Sequence, residues 1–311
     1  MELKGPAGHH HVMGSVLCLL SAVAFGAMAI FGKSAYDAGV DVGALLLVRF
    51  AIAALVLAAI ATAIGALRDL SRRTVVAGLL MGAIGYATQA GLYFLALERM
   101  DASLLSLLFY TYPALVTAAA IVLKREQATK RKAAALAVAT AGTALVLAGA
   151  GTGALDPLAT VMGIGAAFSY TAYILTGDRV VAGVPPLALA ALVCTGATAT
   201  FAVTALVSGG PDLAFDPAGW GWLTAIALVS TVFAIITFFA GLARVGPSTA
   251  SILSTLEPVV TVSLAAAVFG EQLTGVQVAG GVLVLGTVVV LNAPGGRALL
   301  ARRRYVARAR A

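Results

Sequence analysis

Residues 247–269 read PSTASILSTLEPVVTVSLAAAVF, and Glu257 is the only charge between Arg244 and Glu271. A helix rises about 1.5 Å per residue, so about 20 apolar residues carry it across a hydrocarbon layer. This stretch has that length and that composition. A carboxylate inside it is costly in lipid and must face a protein interior or a water-filled cavity.

The same pattern extends outward through the chain. Residues 74–97, 102–123, 133–155, 157–177, 180–211 and 217–243 carry no charge. Over all 311 residues only 11% are charged and 61% hydrophobic, where a globular domain has roughly 25% charged residues. Mean hydropathy is +1.01. The runs lack polar alternation, which predicts helices and not a barrel. Ten transmembrane helices are predicted, near 14–35, 43–65, 74–97, 102–123, 132–150, 157–177, 185–207, 218–243, 247–269 and 275–292. The expected fold class is therefore an all-α polytopic membrane protein. A cleaved signal peptide is not expected, because the first run continues into nine more.

Net charge is +7, and its distribution bears on topology. With the N-terminus inside, Lys4, Arg68, Arg72, Arg73, the Lys124–Lys132 loop, Arg179, Arg244 and the arginines of the tail fall on one side. Lys33, Arg49 and Arg99 fall on the other. This bias predicts both termini in the cytoplasm. The tail, 293–311, is expected to contact anionic lipid headgroups, and no nucleic-acid partner is expected. Cys18 and Cys194 lie in predicted spans without a partner motif and read as packing residues. His9 to His11, in an N-terminal segment 1–13 read as cytoplasmic or a tag, lack further metal ligands. No metal cluster and no phosphate-binding loop is found, so neither a cofactor, nor an enzymatic activity, nor ATP-driven transport is expected.

Shifting the sequence by 145 residues places Phe94, Leu97, Arg99, Ser103, Ser106, Leu108, Pro113, Ala120, Glu126 and Gln127 on identical residues from Phe239 to Gln272, with 11 identities in 36 positions. Gly142-Thr143 matches Gly286-Thr287, and Ala24-Phe25 matches Ala167-Phe168. The chain thus reads as two five-helix units, 14–150 and 157–292. Five is odd, so the two units are expected to enter the membrane from opposite sides. Inverted repeats of this kind permit alternating access around a midplane site.

These residues also carry a resemblance. Leu256-Glu257-Pro258, then Ala265 to Glu271, then a last helix with Gly280, Gly281, Gly286 and Thr287, resemble the second half of EamA-type transporters of the drug/metabolite transporter superfamily; Tyr112-Pro113 to Glu126 resemble the first half. The resemblance covers about 14–292. It implies a ten-helix carrier of a bacterial-type inner membrane, monomeric or homodimeric, that exports small molecules, commonly amino acids or related metabolites. A drug, a nucleotide sugar, or a scaffold role without transport are the alternatives. One departure is that Tyr112 stands at the position matching Glu257.

Candidate cavity residues follow from where polar side chains occur in the spans. Tyr86 and Gln89, Tyr110 and Tyr112, Tyr170 and Tyr173, and Ser254, Thr255 and Glu257 form the set. Tyrosines at helical spacing suit either a wall for an amphiphilic solute or interhelical packing. Pro113 and Pro258 are matched and read as hinges or static kinks, each freeing a carbonyl near Phe109 or Ser254. Arg49 reads either as a bidentate anchor for a substrate carboxylate, or as a residue that snorkels to headgroups or pairs with Asp41. Glu257 reads either as a proton carrier or as a structural acid.

Overall fold

A computed structural model describes residues 7–97, 99, 105, 108–148, 156–181, 183–269 and 274–292. The predicted basic tail lies outside the described residues. Fourteen helices are defined among them: α1 (Ala7–Gly26), α2 (Met28–Asp37), α3 (Val42–Ala63), α4 (Arg72–Leu80), α5 (Ala87–Leu97), α6 (Tyr112–Val122), α7 (Lys130–Leu147), α8 (Pro157–Val181), α9 (Pro186–Val207), α10 (Pro217–Ala227), α11 (Ala234–Val245), α12 (Pro247–Leu253), α13 (Leu256–Phe269) and α14 (Gly275–Asn292). Two π-helical segments, Met81–Tyr86 and Leu228–Phe233, join α4 to α5 and α10 to α11.

Helix starts obey local chemistry. Asp41, Ser71, Thr129, Asp156 and Asp216 accept an N–H two or three residues ahead, a cap worth about 1 kcal/mol each. Pro186, Pro217 and Pro247 sit in first turns, where the missing N–H costs nothing.

Not all of the ten expected spans are met by full-length helices among the described residues. Seven helices among the described residues are long and apolar enough to cross a bilayer, from His11–Asp37 to Pro247–Val268, and Tyr112–Val122 and Gly275–Thr287 are shorter apolar helices. The expected fifth span falls short because α7 opens with Lys130, Arg131 and Lys132. Part of the expected fourth span, residues 102–104, 106 and 107, lies outside the described residues.

Large apolar side chains cover the outside: Leu55, Val122, Val161 and Leu206 are each more than two-thirds exposed, which in a chain of this hydropathy marks a lipid-facing surface. The interior is built from alanines, aromatics and hydroxyl residues, Ser21, Ser230, Thr231 and Ser248 among them.

The two halves match element by element. α3 and α9 each have 22 residues, and each half carries a six-residue π-helical segment in its third span. Contacts come in exchanged pairs: α1 packs on α11 and α13, and its counterpart α8 packs on α5 and α6; α3 packs on α10, and α9 packs on α4 and the first π segment. The counterpart pairs α3–α9 and α7–α14 pack on each other, and α6 packs on α12 across the halves. A twofold relation between the halves requires this exchange.

The π segments interrupt regular backbone pairing inside the membrane region, where a free carbonyl is expensive. Hydroxyls from neighbouring helices supply partners: Ser169 donates to the Gly85 carbonyl at 3.1 Å and Thr200 to Ala83 at 2.8 Å. At the second π segment the bonding runs both ways: its Ser230 donates to the Ala24 carbonyl of α1 at 2.6 Å, and Ser21 of α1 donates to the Ala234 carbonyl just after the segment at 2.8 Å. α9 can approach the first π segment this closely because Gly82 faces the Val193 carbonyl and Gly196 the Leu79 carbonyl; any Cβ at either glycine would overlap backbone.

Candidate functional site

A cavity of about 390 Å³ lies between the halves. α1 and α2 supply Phe25, Met28, Gly32, Lys33 and Tyr36, spaced along one helix face. Arg49 comes from α3, Tyr86, Gln89 and Tyr93 from the first π segment and α5, Phe109 and Tyr110 from the chain before α6, and Tyr170 from α8. Glu257, Pro258 and Thr261 come from α13.

Gly26 sets the depth of Glu257. A Cβ there would lie 2.9 Å from the Glu257 carbonyl oxygen and 2.8 Å from the Val260 Cβ, so only glycine lets α1 and α13 touch. Thr261 then donates to the Gly26 carbonyl at 3.0 Å. Ahead of Pro258 the helix is interrupted at Ser254-Thr255, between α12 and α13. The Ser254 carbonyl, which the proline was expected to free, accepts the Glu257 N–H at 3.0 Å. The proline therefore does not leave it unpaired.

Arg49 departs from both structural expectations for it. It is 2% exposed, so it does not snorkel. Asp41, its expected partner, caps α3 by accepting the Ala44 N–H at 2.9 Å. The guanidinium places Nη1 2.8 Å from the Met28 thioether and its carbon 4.5 Å from the Phe50 ring centre, with the Tyr86 side chain beside it. Its Nε has no partner among the described residues. Glu257 is half-buried at the cavity, with Tyr110 as its polar neighbour and no cation paired to it among the described residues.

The predicted residues separate into two groups. Tyr86, Gln89, Tyr110, Tyr170, Glu257, Pro258 and Arg49 line the cavity; Tyr112, Tyr173, Ser254, Thr255 and Pro113 do not. Tyr112 and Tyr173 form the layer behind it: Tyr112 meets Tyr170 edge-on at 4.8 Å, and Tyr173 lies 5.2 Å from Tyr86 and 5.9 Å from Tyr170. The rings thus run continuously from Phe201 through Phe50, Tyr86, Tyr173 and Tyr170 to Tyr112. Ser254 and Thr255 turn their hydroxyls back to Ala250 and Ile252 carbonyls. Pro113 is buried, and its carbonyl accepts from Thr117.

Sequence reasoning missed the α1–α2 wall. Its signal was present: Phe25, Met28, Gly32, Lys33 and Tyr36 recur every one to four residues along one helical face. Lys33 enters the sequence reading only as one of the three cations on the side opposite the N-terminus.

A helical bundle doubled on itself around a polar-lined cavity, and clad in apolar side chains, is the build of a multi-pass membrane transporter. The model of the EamA-like transporter family matches residues 12–148 and again 157–293, one match to each half, and the chain belongs to that family. The family is one of transporters and not of enzymes, within the drug/metabolite transporter superfamily. Among solved structures, one described only as the crystal structure of a protein aligns over 94% of this chain and 99% of its own, with a TM-score of 0.77 at 20% identity. At that identity the likeness concerns the fold alone. Comparison with curated proteins gives no match.

Proposed function

We propose that this transporter is a secondary carrier that exports small amphiphilic metabolites, amino acids first among them, across a bacterial-type inner membrane. The observation that carries this reading is the cavity itself. A space of about 390 Å³ between matched halves falls within the roughly 300–1,000 Å³ of small-molecule sites. Its walls combine tyrosine rings with one carboxylate and two cationic side chains, a mixture suited to a solute with an apolar body and polar ends.

Alternating access is the mechanism this build favours. Ten crossings in two inverted units, the second entering from the opposite side, would give the halves an axis in the membrane plane and nearly equal energies for the two rocked states. Pro258, at the cavity wall beside the interruption between α12 and α13, is the hinge of this scheme, with Pro113 its counterpart. Without a phosphate-binding loop in the sequence, a gradient drives the cycle, and Glu257 is the group that would carry the proton. Anionic lipids would hold the basic tail.

Purified protein in liposomes loaded with labelled amino acids, aromatic and aliphatic, tests the proposal. Efflux above protein-free liposomes for at least one of them is expected. If no solute in a broad metabolite panel moves, the carrier reading fails.

A further inference from the structure

Arginines at three places in this chain show how the fold treats a guanidinium. Arg125 donates to the Leu175 carbonyl, and Arg244 donates to the Ala240 carbonyl. Arg49 is the most deeply buried of the three, and no carbonyl or carboxylate among the described residues accepts from it. An arginine side chain carries five N–H donors and cannot shed its charge. One of these donors rests on a thioether, a weak acceptor, the Tyr86 hydroxyl stands beside the group, and Nε has no partner among the described residues. A charge withdrawn from water without an acidic partner costs several kcal/mol, and in a membrane interior such a group marks a function. The side chain reaches the wall of the cavity.

We infer that Arg49 binds the carboxylate of the transported solute, and that Glu257, on α13 from the other half, faces the solute's ammonium group. The substrate class is then the zwitterionic α-amino acid, recognised at both ends. This deepens the export reading and rests on it. A planar guanidinium matches a carboxylate through two parallel N–H···O bonds, which a lysine cannot reproduce. Met28 and Phe50 fix the fork in place, so little side-chain freedom remains to be lost on binding. Because Arg49 belongs to the first half and Glu257 to the second, one solute bridges the two bodies that must move against each other. A solute lacking either end would leave one buried charge without its counterpart, the situation that gives sites of this kind their strongest discrimination.

The test compares phenylalanine with its methyl ester and with phenethylamine, as competitors of labelled amino-acid counterflow in proteoliposomes and as stabilisers of the detergent-solubilised protein against thermal unfolding. The wild type should be inhibited and stabilised by phenylalanine, and by the two carboxylate-free analogues roughly tenfold more weakly or worse. Arg49→Gln should raise the concentration of phenylalanine required by a similar factor while leaving the analogues no weaker, and Arg49→Lys should restore only part of the difference. Equal inhibition and stabilisation by all three compounds in the wild type would overturn the inference even if the variants fail to fold. So would a preference for phenylalanine that survives Arg49→Gln, or one lost instead in Lys33→Gln. Failure of the export reading looks different: no solute moves in the wild type at all.

Discussion

Glu257 and Tyr112 occupy matching positions in the two halves and have opposite surroundings. Tyr112 is 1% exposed and packed in the ring layer; Glu257 reaches the cavity. The reason is local. Gly26 admits α13 to α1 at Glu257, so the carboxylate arrives where the halves part. No cation pairs with it among the described residues, which weakens the structural-acid reading left open by the sequence. Glu257→Gln keeps the size and removes the charge. Export by this variant is expected to lose its acceleration by an imposed proton gradient, while exchange of solute persists only at higher solute concentration because the ammonium loses its partner, measured as efflux and counterflow with and without the gradient. Transport that stays intact and equally pH-sensitive would end the proton-carrier role.

Elements meet where side chains are missing. The first π segment and α9 approach until backbone touches backbone, and the hydroxyls of Ser169 and Thr200 take up the carbonyls that the irregular turn leaves over. Gly82→Leu would force its side chain into the Val193 carbonyl. Overpacking of this kind costs about 1–3 kcal/mol and sometimes more. The thermal midpoint in detergent should fall, read with a thiol-reactive dye, because Cys18 and Cys194 are free and buried and become labelled only on unfolding. The same elements aim Tyr86 and Gln89 at the cavity, so a loss of affinity is expected to accompany the loss of stability.

Across the molecule, the segment following α6 ties the halves together. Arg125 donates to the Leu175 carbonyl of α8, and Glu126 pairs with Lys132 at 2.6 Å while accepting the Ser248 N–H of α12 at 3.4 Å. Glu126→Ala removes both of its contacts. A loss of about 1 kcal/mol and faster hydrogen exchange in α12 are expected, checked by exchange mass spectrometry. Topology is tested at the same scale. If both halves cross five times in opposite senses, the two termini share the cytoplasmic side, and a fluorescent protein fused after Ala311 should light up in cells where a periplasmic phosphatase fused at the same point stays inactive.

Much of this architecture was legible in the chain itself. Charge-free runs of about 20 residues dictate helices in lipid, and identities such as Pro113 with Pro258 and Glu126 with Glu271 reveal two copies of one unit, because register survives in the residues that shape a helix. The sequence also pointed to Tyr86, Gln89, Tyr110, Tyr170 and Glu257, since polar groups in lipid-spanning segments need an interior to face. It could not say which tyrosines touch the cavity and which pack behind it. Helical spacing places Tyr170 and Tyr173 on one face, but neighbouring helices determine that the first meets open space and the second meets Phe239. Nor could it decide between the two readings of Arg49, an anchor for a substrate carboxylate or a side chain that snorkels or pairs with Asp41. Only the tertiary structure takes Asp41 away as a helix cap, buries the guanidinium against Met28 and Phe50, and brings it to the cavity that Glu257 also lines. Partners and burial of a side chain are set by what other helices bring to it, and that information is nonlocal.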